Sequence, residues 1–478
     1  MVTVNMDETA QPAKVAQKSL KWPQYVSSLI GALPVFSAGT IEGWTSPGVA
    51  HLQRPPDGIS PEDASVVVSL ATLGSLLVAL PAGYLADAVG RKRVLLLMVL
   101  PHVLAWVIII FANTDVLLLC LARFISGVAY GGSQVVVPLY NEEISDVGIR
   151  GKLGCFFDFM MSAGILYCYF ISLVLDYFWM TAACAVVPLV FFVFFVWFPE
   201  SPVFLLQKGR EDEARESLRF FRGAKHLTSY DEAPEIQSIK NYIASESKSS
   251  SEHTWRTSLK LVWECLFSGG RASTLAKAMR ITICFGTLVP LTGINPMLFY
   301  SVEIFQRGRS TISADVCNLI TGVLKIICSL ITIFLVDRVG RRLLLFVSAG
   351  GMILSMLALS LHFLLLNYNE YISHFGWMPC AAVTAFVSSY SLGFGPLPWL
   401  ILAEIIPTGV KELMGVGFGI NYILHFVITM VFIELLGTVG EVATFSFFCV
   451  MSVIAILFVK YFVPETKNKA REVIHSNL

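Results

Sequence analysis

Gly83-Tyr-Leu-Ala-Asp-Ala-Val-Gly-Arg-Lys-Arg93 closes one apolar run, and Leu335-Val-Asp-Arg-Val-Gly-Arg-Arg342 closes another far downstream. Both are short polar turns of the form Asp-x-x-Gly-Arg plus a second basic residue. Each follows a hydrophobic block of bilayer-crossing length. A turn that recurs once in each half makes the chain a tandem of two related halves. In lipid, that plan belongs to carriers whose two bundles rock about a polar site at their junction.

Composition points the same way. Of 478 residues, 55% are apolar and only 14% charged, with mean hydropathy +0.69, too little polar surface for a water-soluble globule. Blocks of about 20 apolar residues, enough to cross ~30 Å of hydrocarbon, fall into two sets of six. The expected fold is an all-α membrane protein with twelve transmembrane helices in two six-helix bundles. The expected divisions are a cytoplasmic segment 1–25, a first bundle 26–198, a helical cytoplasmic linker 199–276, a second bundle 277–463 and a cytoplasmic tail 464–478.

Lys and Arg collect in cytoplasmic loops. Here they precede the first span and follow the second, fourth, eighth, tenth and twelfth, so both termini are expected to face the cytoplasm. No removable signal peptide is evident. The formal net charge of zero argues against nucleic acid as a partner. Cys155, Cys168, Cys184, Cys284, Cys328 and Cys449 lie inside apolar spans without Cys-x-x-Cys spacing and read as buried structural thiols. His102, His362 and His425 stand singly in apolar runs and read as packed core residues. No metal-ligand spacing and no nucleotide-binding Gly-x-x-x-x-Gly-Lys-Ser/Thr loop occurs, so neither a cofactor nor an enzyme is expected. The lipid bilayer is the expected surrounding, and no obligate protein partner is evident.

Between the halves, Ala214, Leu218 and Phe221 form one helical stripe, with Glu211 four residues before Arg215, which predicts an amphipathic helix. The Ser/Glu/Lys-rich stretch Ala244–Ser251 has little apolar surface to bury and reads as a mobile linker. Glu143 and Arg150 close one span, and Glu404 and Lys411 close its counterpart at the same spacing. These carboxylates are expected to bridge to Arg93 or Arg342 when the halves meet, as solvated pairs of about 1 kcal/mol or less that break each cycle; the plainer alternative is a permanent helix-end pair. Gly395-Pro-Leu-Pro-Trp399 removes two backbone donors inside a span, so the helix must bend or unwind there, and such backbone is tolerated beside a hydrated cavity. Trp399 is then placed to line that cavity with its ring face, or else to sit in an interfacial belt.

These stretches resemble the sugar porters of the major facilitator superfamily, from Ala38-Gly-Thr40 to Val463-Pro-Glu-Thr-Lys467. The resemblance is carried by Arg123-Phe-Ile-Ser-Gly127, Val137-Pro-Leu-Tyr-Asn-Glu-Glu143 with Arg150, Pro199-Glu-Ser-Pro202, Leu291-Thr-Gly-Ile-Asn295, and Gly395-Pro-Leu-Pro-Trp399 with Glu404. Trp44-Thr-Ser-Pro47 and Gly393-Phe-Gly-Pro-Leu-Pro-Trp399 look most like the insect facilitated trehalose transporters. It implies alternating access in the cell membrane, with a sugar or related polyol as substrate. It also implies gating roles for Asp87, Arg91, Arg93, Glu143, Arg150, Asp337, Arg341, Arg342 and Glu404. The implied binding residues are Asp158, Asn295, Lys325, Tyr390, Ser391, Trp399, Asn421 and Tyr422.

Several of these depart from the porter pattern. Val289 and Pro290 stand where porters carry a Gln-Gln pair, Asp158 where they carry glutamine, Lys325 where they carry asparagine, and Ser391 where glucose porters carry an acid. A lone charge at mid-membrane costs about 2.5–3.5 kcal/mol on insertion scales. Asp158 and Lys325 are therefore expected either to pair across the cavity in at least one state or to sit in it independently. Such a site is expected to bind glucose or trehalose less well and to favour another polyol or a zwitterionic solute. Glu42, near the position of the proton-carrying Asp of symporters, is the candidate for proton coupling. A non-transporting sugar sensor is the remaining alternative.

Overall fold

The computed structural model describes residues 20–56, 58–146, 149, 153–154, 156–224, 230–250, 274–368, 375–406 and 412–465. Among them, twelve helical stretches are long and apolar enough to cross a membrane, and no strand occurs. The first half comprises α1 (Trp22–Gly31), α2 (Leu33–Leu52), α3 (Pro61–Val89), α4 (Arg91–Ala112), α5 (Val116–Ile144), α6 (Phe156–Val174) and α7 (Tyr177–Phe195). Three shorter helices follow: α8 (Pro202–Gln207), α9 (Glu211–Phe221) and α10 (Ala233–Ser250). The second half comprises α11 (Thr274–Leu291), α12 (Ile294–Phe299), α13 (Ser301–Arg307), α14 (Ala314–Val339), α15 (Arg341–Tyr368), α16 (Met378–Leu392), α17 (Leu397–Ile405), α18 (Glu412–Thr438) and α19 (Glu441–Phe462).

Helix starts follow from local chemistry. The Ser60 hydroxyl accepts from Asp63 N at 3.1 Å ahead of Pro61, and the Asp115 carboxylate accepts from Leu117 N and Leu118 N at 2.9 and 3.1 Å. Small residues bring helices into backbone contact, since lipid offers no hydrophobic drive for association. A Cβ on Gly127 of α5 would lie 1.9 Å from Ala71 O of α3, and one on Gly74 would lie 2.2 Å from Phe124 O. Gly39 and Gly164 do the same for α2 and α6, at 2.3 Å from Met161 O and 2.1 Å from Phe36 O.

The halves meet along α3 against α18 and α6 against α14, with α2 packed on α12 and α13. Two spans are broken. The seventh turns at Thr292 and Gly293, where φ is +88° and a Cβ would meet the Phe448 ring at 2.7 Å. The tenth opens between Leu392 and Leu397, in and beside the Gly-Pro-Leu-Pro stretch.

In the linker, α9 buries Ala214, Leu218 and Phe221, and Arg215 meets Glu211 at 2.6 Å. Lys240 of α10 hydrogen-bonds the same carboxylate at 2.5 Å, and Lys240 and Arg215 together hold Glu211 below its ordinary pKa. The structure corrects the reading of 244–250 as a mobile linker, because α10 runs through to Ser250. Ile236, 3% exposed, anchors its first turn. Adding Ala, Ser, Glu and Lys to an existing helix needs no new nucleus.

Candidate functional site

Four charged side chains gather where the halves meet. Glu42 on α2 accepts a 2.6 Å hydrogen bond from the Tyr130 hydroxyl on α5 and lies near enough to Lys325, Asp158 and Arg123 to feel their charges. Asp158, near the start of α6, accepts from the Ser329 hydroxyl of α14, and Ser329 lies 3.0 Å from the Ser162 hydroxyl one turn along α6. Lys325, one turn before Ser329 and buried, donates to Ser391 Oγ at 3.2 Å. The Asp158–Lys325 pair is therefore not closed in this arrangement. Each charge is held by a hydroxyl, and both belong to a cluster that includes Glu42.

The fourth charge is Arg123, 1% exposed on α5. Its guanidinium donates to Thr45 Oγ1 at 2.7 Å and to Ile41 O at 3.3 Å, and lies 5.6 Å from the Trp44 ring centre. Hydrogen bonds and the indole face replace a carboxylate partner. Sequence reading cited Arg123 only as part of a signature. Its polar-facing position was unreadable because it depends on α2 and α5 crossing at this level.

The remaining lining is neutral. Tyr390 lies near Asp158 and Glu42, and Tyr422 near Glu42. Gly395, in the opened part of the tenth span, brings its backbone close enough that a Cβ would sit 3.5 Å from Asp158 Oδ1. Asn421 on α18 is 5% exposed, and among the described residues its side-chain NH2 finds no acceptor. Asn318 on α14 likewise leaves its NH2 unpartnered while accepting from Ser301 at 2.6 Å. Asn295 is half-buried just past the break in the seventh span. Trp399 stacks one face on Phe418, with centres 4.1 Å apart and planes 10° apart, which leaves a single face for any ring beyond it.

At the end of the bundles that carries the two glycine turns, Glu143 and Glu404 do not bridge to Arg93 or Arg342 in this arrangement. Glu143 is met by Arg91 at 2.9 Å, with Asp87 on the same guanidinium at 2.7 Å, and Glu404 is met by Arg341 at 3.2 Å. Both pairs lie within a half and do not bridge the halves. Arg93 is exposed, and Arg342 lies against Phe346 and donates to Lys460 O. The cause is the glycine before each pair. With φ of +117° at Gly90 and +104° at Gly340, the chain reverses so that the first arginine points back along the preceding helix, donating to Ala86 O at 3.1 Å and to Val336 O at 3.2 Å. Nor is the first pair solvated, since the Arg91 and Glu143 side chains are only 4% and 14% exposed, while Arg341 and Glu404 are 11% and 25% exposed. Arg150 and Lys411 lie outside the described residues, as does the Asp337 side chain.

A second carboxylate completes each clasp, and sequence reading gave it no role. Glu200, of Pro199-Glu-Ser-Pro202, accepts from Lys92 N at 2.9 Å, and Glu465, of Val463-Pro-Glu-Thr, accepts from Arg341 N and Arg342 N at 3.1 Å each. Each caps the first turn of the helix after a glycine turn. The signal was available in the Pro-Glu-Ser/Thr repeat at the end of each half.

The sequence matches, over residues 16–478, the family described as Sugar (and other) transporter. The chain belongs to this family. It is 30% identical over 475 residues to the facilitated trehalose transporter Tret1 of Bombyx mori, spanning 99% of this chain and 90% of that one, and 29% identical to Tret1 of Culex quinquefasciatus, spanning 98% and 88%. Against the longer Tret1 of Anopheles gambiae, 30% identical, it spans 56% of the relative's length. The proton:xylose symporter XylE of the major facilitator superfamily superposes with a TM-score of 0.71 at 22% identity, covering 95% of this chain and 98% of that one, which establishes a shared fold. This member of the sugar transporter family is a multi-pass membrane protein with the major facilitator architecture.

Proposed function

We propose that the chain carries a neutral sugar or polyol, with trehalose the first candidate, down its gradient across the cell membrane by alternating access. The observation that supports this most is the charge balance of the central cluster. Glu42 and Asp158 against Lys325 and Arg123 sum to no formal charge, and the rest of the lining is hydroxyl and amide. A site of that kind matches the donors and acceptors of an uncharged polyol. The unpartnered NH2 groups of Asn421 and Asn318 are donors left for solute hydroxyls. Asp158, Asn295, Lys325, Tyr390, Ser391, Trp399, Asn421 and Tyr422 are the proposed binding residues, with Tyr130 and Asn318 added by geometry. Both termini face the cytoplasm in this reading.

Facilitated diffusion is preferred to proton coupling because Glu42 is already engaged by the Tyr130 hydroxyl at 2.6 Å and the chain is similar over nearly its whole length to facilitated transporters. Tracer uptake into liposomes holding the purified protein tests the reading. Saturable trehalose or glucose entry that stops at equilibrium and is unaffected by an imposed proton gradient is expected. Binding without flux would instead indicate a sensor, and accumulation driven by the proton gradient a symporter.

A further inference from the structure

On the outer surface of the second half, α11 and α19 run antiparallel and are joined by Phe285 against Phe458, with ring centres 5.2 Å apart. Beside that contact is a groove of about 410 Å³ lined by Ile283, Cys284, Leu288, Leu457 and Tyr461 among others, almost wholly apolar. It opens outward, where the Leu457, Tyr461 and Phe462 side chains are exposed. At one end it becomes cationic. Lys277 and Arg280 are exposed and lie on the same face of α11 as Cys284 and Thr287, with Arg280 about 10 Å from Thr287 along the axis at 1.5 Å per residue. Across the groove, Lys460 of α19 places its ammonium 5.4 Å from the Tyr461 ring centre. The nearest acid beyond α19, Glu465, is turned away to cap α15. Among the described residues, neither Lys277 nor Arg280 has an ion-pair partner.

We propose that this groove binds an anionic phospholipid, one acyl chain lying between α11 and α19 and the phosphate meeting Arg280 and Lys277. The apolar length matches a hydrocarbon tail, and the cations stand at the bilayer interface, where basic pockets between helices hold acidic headgroups. A sugar would find only the Thr287 and Tyr461 hydroxyls there, too few to match its own. A second copy of the chain would bury these cations against the same cations or against lipid.

Native mass spectrometry of the purified full-length protein, equilibrated with equal amounts of phosphatidylglycerol and phosphatidylcholine, tests the assignment. Phosphatidylglycerol is expected to be retained over phosphatidylcholine by about thirtyfold, about fivefold for each of the two basic residues. The Lys277→Gln, Arg280→Gln variant should retain the two equally. Leu457→Trp, or Cys284→Trp where the first does not fold, fills the groove and should remove bound phosphatidylglycerol while the thermal transition is kept. Tail-free glycerophosphoglycerol should not compete. Equal retention by the unaltered protein, an unchanged preference in the double variant, or displacement by the tail-free headgroup would overturn the proposal.

Discussion

Gly90 and Gly340 determine where Arg91 and Arg341 point, and therefore which carboxylates they meet. A Cβ at Gly90 would lie 2.3 Å from Glu200 Oε2 as well as at φ +117°, so two independent penalties fall on any substitution. Gly90→Ala is expected to cost about 1–3 kcal/mol of stability, read as a lower melting temperature in detergent. The buried pair at Arg91 gives a sharper test. Removing one partner strands a buried charge at a cost of about 3–5 kcal/mol, whereas removing both does not. Arg91→Gln should therefore lower protein yield and melting temperature more than Arg91→Gln with Glu143→Gln; equal or additive losses would refute a coupled pair. In the central cluster, Asn421→Ala should raise the half-saturating sugar concentration about five- to tenfold, as for loss of one hydrogen bond in a buried site.

Helices in this molecule are legible in sequence to the extent that bilayer thickness dictates them. Apolar blocks of fixed length and the two Asp-x-x-Gly-Arg turns were enough for the twelve spans and their division into sixes, and Gly-Pro-Leu-Pro announced the opening of the tenth. The partner of each arginine was not legible, because it hangs on a single backbone angle at glycine. Asp158 and Lys325 were expected at one cavity, but that Glu42 and Arg123 join them there was not legible, because the four lie on four helices of both halves. Composition misled at 244–250, where a polar stretch extends a helix already nucleated by its neighbours. Packing between helices supplies a further test. Gly127→Leu would drive a side chain into Ala71 O and should separate α3 from α5, leaving the protein unable to enter a monodisperse peak on size-exclusion chromatography. The linker responds to acid. Because Lys240 and Arg215 hold the Glu211 carboxyl below its usual range, their contribution is complete above the ordinary carboxylate pKa and is lost as pH falls through the depressed one. Proteolysis between α9 and α10 should accelerate only under those acidic conditions.

Across the whole molecule, the packed seam between the halves includes a small set of hydroxyls. Ser46 of α2 and Ser301 of α13 lie 2.8 Å apart, and Val302 N donates to Ser46 Oγ at 3.1 Å. If the halves rock, this contact must part and re-form. Cysteines placed at both positions should form a bridge under mild oxidation that abolishes sugar flux, and reductant should restore it; full flux in the bridged protein would exclude a rocking motion at this end. The clasps made by Glu200 and Glu465 carry a different implication. Each half fastens its own last strand of chain back onto its own interior, so neither depends on the peptide that joins them to stay shut. Two separate genes, one ending and the next beginning between residues 251 and 273, should then yield fragments that find each other in the bilayer and work as a noncovalent whole.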